Sequence, residues 1–305
     1  MPALEQLYAT SIRIAGETTP GSMEADVNGW HLPGITEAAV EREIILSAER
    51  RNFHRQLARR EIIASEWQIT TRHEATIPLV EWILQAILTD HGSGRWALDP
   101  KSPDRSFVIE TTTDAGAIHA YAGCRIAEIQ LVWDERKILL IDITWQGTSR
   151  HSLEAAIDGT AGPDLSGPLL TTRAAGFAVA TDAWGTDPRI DNAAVMFAGQ
   201  VFLTRDIQAG NIGPDGIAST MERAPWTVMA EIQMPETPGI TDQAFADQWC
   251  GKLAFWFGSG SHHLRLNNVV GFIADGDLKA FDFRIRRLVA EAESDPNLAL
   301  MEFRA

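Results

Sequence analysis

The sequence is poor in the features that define disulfide-stabilised, membrane-spanning or secreted proteins. Its 305 residues include only two cysteines, Cys124 and Cys250, which excludes a disulfide framework. We interpret both as reduced core residues. No stretch approaches the run of about 18 apolar residues that a membrane span needs. The first residues show neither the basic nor the apolar part of a secretory signal, so none is predicted.

Basic charge is also scarce. The chain has 26 Lys and Arg residues against 41 Asp and Glu residues, which gives a net charge of −15. A protein that binds DNA by neutralising phosphates needs a basic surface, so this class is disfavoured. The local exception is the arginine-rich stretch 49–61. It is either a solvated loop or short helix, or an arm that docks on an acidic neighbour such as a second copy of the chain.

Motifs for catalysis and for metal or phosphate binding are missing from the sequence. His262 and His263 are adjacent, so on a strand they would point to opposite faces and could not share a metal ion. No phosphate-binding glycine fingerprint occurs. We therefore predict no enzymatic activity, no cofactor and no metal site. The ten tryptophans leave a sugar- or receptor-binding β-sandwich as an alternative, with the loop residue Trp184 as its candidate contact.

Strand periodicity is what the sequence does contain. Residues 121–147 alternate with period two around a polar turn at Asp134–Lys137, which predicts a long hairpin with one buried face. The predicted buried residues are Ile129, Leu131, Trp133, Leu139, Ile141, Ile143 and Trp145. The predicted polar face consists of Glu128, Gln130, Asp142, Thr144 and Gln146.

The order of predicted elements occurs twice along the chain. In the first half, strands at Ala38–Ala48 and Glu61–Arg72 precede a helix with Thr76 as its cap and Pro78 in its first turn. In the second half, strands at Ala193–Ile207 and Pro225–Met234 precede a helix with an apolar stripe of Phe245, Trp249 and Leu253. The expected fold class is all-β, a sandwich or barrel with one short helix per half and a tandem duplication. The expected domains are 1–149 and 191–305, with a linker or excursion at 150–190.

Four segments resemble the tail tube (major tail) proteins of long-tailed bacteriophages. They are the opening strand and turn IRIAGETTPGS, the strand and helix EWQITTRHEATIPLVEWILQAIL, the hairpin region from SFVIETTT to ITWQGTS, and the closing strands from FWFGSGSHHL to LALMEFRA. They occur in the family's order and span nearly the whole chain. The arginine-rich stretch and residues 150–190 have no counterpart in the family pattern.

The resemblance implies a structural virion protein with no enzymatic activity. Subunits of this family associate into rings around a channel, and the rings stack into a tube through which genomic DNA passes. We expect three two-domain subunits per ring in preference to six subunits, an acidic channel, no membrane association, and contacts with the tape measure, terminator and distal tail proteins. The channel-lining candidates are Glu128, Gln130, Asp142, Thr144 and Gln146, and the ring-stacking candidates are Arg51, Phe53 and Arg55. A terminator or distal tail protein is the alternative within this class.

Overall fold

Antiparallel strands make up most of the chain. The computed structural model describes residues 9–19, 21, 35–50, 57–98, 105–113, 115–133, 138–162, 164–171, 176–180, 193–194, 198–212, 218–235, 249–257, 262–280, 283–292 and 301–305. The first-half elements are β1 (Ala9–Gly16), β2 (Ile35–Arg50), β3 (Leu57–Glu74), α1 (Ile77–Gln85), β4 (Thr89–Asp90), β5 (Arg95–Leu98), β6 (Phe107–Thr113), β7 (Ile118–Trp133), β8 (Leu140–Gly147) and β9 (Ser149–Leu153). The second-half elements are β10 (Gly176–Ala180), β11 (Ala193–Ala194), β12 (Ala198–Thr204), β13 (Ile207–Ile212), β14 (Ala218–Arg223), β15 (Thr227–Pro235), β16 (Trp249–Trp256), β17 (His263–Ala280), β18 (Phe283–Ala292) and β19 (Met301–Arg304). The all-β prediction is confirmed.

The helix predicted in the first half is present. The Thr76 hydroxyl accepts a hydrogen bond from the backbone N–H of Leu79 at 3.2 Å, and proline stands in the first turn, where a missing N–H costs little. The helix ends at Gln85, and Ile87 and Leu88 stay buried in the turn that follows. With nine residues, this helix is too short to cross a membrane, and it is the one helix in the described part of the chain.

The helix predicted in the second half is wrong where it can be compared. Trp249 and Leu253 belong to strand β16, which pairs with β10 on one side and β17 on the other. The large side chains of Leu253, Phe255 and Phe257 recur with period two and are all buried, and the small Ala254 between them is buried as well. Helical spacing and strand alternation overlap in this short apolar run, and sheet hydrogen bonds decide between them. Phe245 lies outside the described residues.

The two halves share one continuous sheet, here called the shared sheet. Its strands follow the order β2–β3–β8–β7–β12–β15–β18–β17, so that each half contributes four neighbouring strands. The join, here called the seam, is the pairing of β7 with β12, in which Gln130 lies opposite Phe202. In the first half β2 pairs with β3, β3 with β8, and β8 with β7. In the second half β12 pairs with β15, β15 with β18, and β18 with β17, so the order of pairing is the same.

A smaller layer repeats in the same way. The first part of β7 pairs with β6 and β9, and β6 pairs with β1. The first part of β17 pairs with β16 and β19, and β16 pairs with β10. The register shifts between Phe107 and Ile109 in the first half, and between Gly251 and Leu253 in the second. A bulge at equivalent positions shows that the two halves repeat the same arrangement of strands, although their sequences differ.

The core lies between the shared sheet and the smaller layer. Phe107 of β6 packs edge-on against Trp145 of β8, with ring centroids 5.2 Å apart, and Trp82 of α1 packs on Phe107 at 5.9 Å. Trp133, at the seam, stacks on Phe255 and Phe257 at 5.5 and 5.7 Å. All seven residues predicted for the buried face of the hairpin are at most 2% exposed. Apolar burial of this extent is the main stabilising contribution to both layers.

Strand β7 passes from the smaller layer into the shared sheet at Gly123. This glycine has φ +65°, and a Cβ atom there would come within 2.5 Å of the Thr148 hydroxyl oxygen. A carboxylate oxygen of Glu17 accepts the N–H of Gly123 at 2.7 Å, and the other accepts the N–H of Gly21 at 2.8 Å. Two of the segments that carry the family resemblance therefore meet at this bend, the opening strand with its turn and the hairpin region.

Residues 154–162 and 164–171, within the expected linker, return over the first half. The carbonyl of Leu165 accepts the Thr76 hydroxyl at 2.7 Å, and the N–H of Leu170 donates to the carbonyl of Ala75 at 2.9 Å. The N–H of Ile157 donates to the buried carboxylate of Glu110 at 2.8 Å. Strand β10 and all of β9 after Ser149 also fall inside the expected 150–190 segment, whereas the proposed domain limits stay a prediction.

Candidate functional site

The candidate site is the face of the shared sheet that points away from the core. Buried and half-buried residues alternate along β8 and along the second part of β7, as the sequence pattern predicts. Gln130 lies opposite Asp142, and Glu128 lies opposite Thr144. The structure therefore brings Glu128, Gln130, Asp142, Thr144 and Gln146 together on one face, all of them half-buried.

Neighbouring strands extend this surface, here called the polar face, across both halves. On the first-half side, β3 adds Gln68, Thr70 and Arg72, all exposed. On the second-half side, β12 and β15 add the half-buried residues Gln200, Phe202, Thr204, Thr227, Met229, Glu231 and Gln233. Because cross-strand partners share a face, these side chains form continuous rows over five strands.

Hydrogen bonds tie the rows together. Arg72 donates to both carboxylate oxygens of Asp142, at 2.7 and 2.8 Å, in the bidentate geometry that guanidinium and carboxylate favour. Across the seam, the side-chain amide of Gln130 donates to the amide oxygen of Gln200 at 3.1 Å. The first contact fixes β3 against β8, and the second fixes the two halves against each other.

The described part of the polar face is nearly neutral. It carries three carboxylates, of Glu128, Asp142 and Glu231, and two guanidinium groups, of Arg72 and Arg125. Most of the chain's net charge of −15 therefore lies elsewhere. The surface is rich in neutral hydrogen-bonding groups and has no excess of positive charge with which to bind phosphates.

A buried polar group lies directly beneath this face. The indole N–H of Trp145 donates to the Thr71 hydroxyl at 3.1 Å, so the hydroxyl hydrogen is available for Nε2 of His73 at 2.8 Å. Which of the two groups donates in this contact depends on the tautomer of the neutral imidazole. Burial lowers the pKa of His73 from 6.5 to about 4, an effect that the charge of Asp142 partly opposes.

A positively charged side chain, that of Arg205, lies at the seam. The guanidinium of Arg205 lies 4.5 Å from the centre of the Trp226 ring and donates to the carbonyl of Ile126 at 2.9 Å. Burial lowers the pKa of Arg205 to about 10, so the side chain stays charged at neutral pH. Sequence reasoning missed Arg205 and Arg72. The alternation of Trp67, Ile69 and Thr71 with Gln68, Thr70 and Arg72 could have indicated Arg72, whereas Arg205 shows no signal before the seam is known.

The side chains that could support other chemistry have structural partners. Burial raises the pKa of the Cys124 thiol, as does the charge of Glu17, so the reactive thiolate is disfavoured. His262 lies 3.4 Å from a carboxylate oxygen of Glu81, whereas Nε2 of His263 accepts from Arg265 at 2.8 Å. Among the described residues, no three His, Cys, Asp or Glu side chains converge to hold a metal ion.

Two groups of predicted residues cannot be placed. Arg51, Phe53 and Arg55 lie outside the described residues, between the ends of β2 and β3, and Trp184 lies outside them as well. Every tryptophan whose side chain is described is buried or half-buried. No protein-family model matches the chain, and no curated protein matches it significantly.

Proposed function

We propose that the protein is the subunit of a bacteriophage tail tube, in which copies form rings around a channel for DNA and the rings stack. The observation that supports this most is the shared sheet, to which two equivalent halves contribute four strands each, with a polar face away from the core. Three copies of such a sheet supply six equivalent units. A closed barrel of their strands, spaced about 4.8 Å apart, is on the order of 40 Å across at its backbone.

The polar face is suited to line such a channel. Gln130, Thr144 and Gln200 offer neutral hydrogen-bonding groups to water, and the ion pair of Arg72 with Asp142 cancels its own charge. A conduit must let DNA pass without holding it, so a lining without excess positive charge fits this task. Closing the sheet into a barrel also removes strand edges that otherwise invite aggregation.

The hairpin of β2 and β3 suggests how rings stack. β3 pairs with β8 from Trp67 to Glu74, whereas the segment Leu57–Glu66 pairs with β2 as its one described partner strand. An isolated two-stranded hairpin is marginally stable in water, so a docking surface for this arm is expected. The ring-stacking candidates Arg51, Phe53 and Arg55 connect its two strands, and we propose that they contact the next ring.

Negative-stain microscopy of the purified full chain tests the proposal. The unsubstituted protein is expected to form rings and tubes about a hundred ångströms wide, with averaged end views that show three-fold symmetry. The matched variant Arg51→Ala/Phe53→Ala/Arg55→Ala is expected to leave single rings that stack poorly, with unchanged thermal unfolding. A protein that stays monomeric at high concentration would contradict the proposal, and tubes unaffected by the triple substitution would contradict the stacking role.

A terminator or distal tail protein would share this architecture, and copy number separates the possibilities. A tube subunit is expected among the most abundant proteins of the virion, whereas the other two are expected in a few rings. Sugar or receptor binding gains no support from the tryptophans whose side chains are described. Its candidate, Trp184, can be tested by a glycan array before and after Trp184→Ala.

A further inference from the structure

The seam inside the chain provides a template for a contact between chains. The second part of β7 pairs with β8 on one side and with β12 on the other. Its equivalent in the second half, the part of β17 from Phe272 to Ala280, pairs with β18 on one side. Strand β16 occupies the other side only as far as Gly271, and no described strand continues beyond it.

The equivalent of β12 has a matching open edge. Within the chain, β12 lies between β15 and β7. Its counterpart β2 pairs with β3 on one side, and no described strand pairs with its other side. The shared sheet therefore has one open edge at β2, the counterpart of β12, and another at β17, the counterpart of β7. Within the chain, β12 and β7 are the two strands that pair at the seam.

We propose that β17 of one copy pairs with β2 of the next copy, antiparallel and in the register that β7 and β12 show within the chain. The inference rests on the proposed function, because the partner is a second copy in the same ring. Open strand edges are sites of edge-to-edge pairing. The two edges differ and lie at opposite ends of the sheet, so the contact is head-to-tail and generates a ring when the rotation closes.

The internal repeat shows which residue of β2 corresponds to which residue of β12. β3 and β15 end at Glu74 and Pro235, and counting back from these ends makes Gln68 equivalent to Met229. Because Glu41 pairs with Gln68 and Phe202 pairs with Met229, Glu41 is the counterpart of Phe202.

The same reasoning shows which residue of β17 corresponds to which residue of β7. Leu140 pairs with Glu74, and Ile285 pairs with Pro235, which makes Asp142 equivalent to Arg287. Because Gln130 pairs with Asp142 and Ala274 pairs with Arg287, Ala274 is the counterpart of Gln130. Phe202 lies opposite Gln130 at the seam, so Glu41 of one copy is expected opposite Ala274 of the next.

Disulfide cross-linking of the full chain tests this register. The variant Glu41→Cys/Ala274→Cys, oxidised mildly with copper–phenanthroline, is expected to convert monomer into covalent dimers and trimers on a non-reducing gel. The matched positive control is Gln130→Cys/Phe202→Cys, the equivalent pair at the seam, which is expected to cross-link within one chain. The negative control is Glu41→Cys/Ile273→Cys, because neighbouring strand positions point to opposite faces. The chain without substitutions reports any background from Cys124 and Cys250.

The outcomes separate this inference from the proposed function. Covalent oligomers from the Glu41/Ala274 pair, weak or absent with Glu41/Ile273, support the proposed register. Rings seen by microscopy in samples that give no cross-link at Glu41/Ala274, while the seam control succeeds, overturn the register and leave the tube function standing. Equal cross-linking of both intermolecular pairs also overturns the register. Protein that is monomeric by microscopy and gel overturns both proposals.

Discussion

The two halves of the chain share a strand order but have different residues at equivalent positions. In the smaller layer of the first half, Arg13 pairs with Glu110, and their charged groups lie 2.7 Å apart with the carboxylate 3% exposed. The two bulges align Glu110 with Ala254, which pairs with Ala178. The first half therefore contains an ion pair with a buried carboxylate where the second half has two alanines.

Equivalent positions of β3 and β15 differ in the same way. His73 and Thr71 of β3 correspond to Met234 and Ile232 of β15, because both strands end at equivalent positions. A hydrogen-bonded polar group in one half thus has apolar residues as its counterpart in the other. The strand order therefore does not depend on these polar contacts, because the second half has the same strand order with apolar residues at these positions. The bulges and the alternation of buried residues are what the halves have in common.

Removing the guanidinium that neutralises the buried Glu110 carboxylate is expected to have the largest effect. Arg13→Ala leaves the Glu110 carboxylate buried without its counter-charge and is expected to lower the free energy of unfolding by about 3–5 kcal/mol. Arg13→Ala/Glu110→Ala reproduces the second half and is expected to be more stable than Arg13→Ala. Urea unfolding measures both, and a double variant less stable than Arg13→Ala would show that the two halves are not interchangeable here.

The buried histidine is expected to make the first half sensitive to acid. The folded-state pKa of His73 is about 4, below its ordinary 6.5, so between these values the unfolded chain binds a proton that the folded chain does not. This contribution to stability is complete above pH 6.5 and is lost as pH falls towards 4. The loss at pH 4.5, relative to neutral pH, amounts to about 2.5 kcal/mol, at roughly 1.4 kcal/mol per unit of pKa.

The substitution His73→Met introduces the second half's residue and isolates this effect. The free energy of unfolding of the unsubstituted chain is expected to fall more steeply between pH 7 and pH 4.5 than that of the variant. Urea unfolding of both proteins at both pH values gives the change in the free energy of unfolding between pH 7 and pH 4.5. The contributions of the other titrating groups cancel when the change in the variant is subtracted from that in the unsubstituted chain. Parallel pH profiles would mean that His73 does not titrate as its burial implies.

The bend at Gly123 is a smaller difference between the halves. Counted from the strand starts at Ile118 and His263, the equivalent of Gly123 in β17 is Asn268. Asn268 does not have a positive φ, because Ser93 is the one described non-glycine residue that does. Gly123→Ala is expected to cost about 2 kcal/mol, from the left-handed backbone and the Thr148 contact together. Gly116→Ala is the control, because Gly116 has φ +79° but open space around it. Equal losses in thermal unfolding would show that the Thr148 contact is unimportant.

Much of the fold could be predicted from the sequence because it depends on local patterns. Alternation identified β7 and β8 and assigned all seven buried residues of their hairpin, and Thr76 with Pro78 indicated the start of α1. The second helix was mispredicted because a short apolar run satisfies both periods. The polar face of the hairpin was predicted, but its extension to Gln200 and Glu231 was not, since strand neighbours distant in sequence leave no local signal.

The sequence by itself determined the all-β class, the hairpin's two faces and the recurrence of element order, because side-chain alternation and capping act over a few residues. Only the tertiary structure decided that the recurrence extends to strand pairing and to one bulge, and that the halves join through β7 and β12. Those features depend on backbone hydrogen bonds between strands far apart in the chain. They also show that the shared sheet has an open edge at each end among the described strands, so its proposed completion requires a second copy.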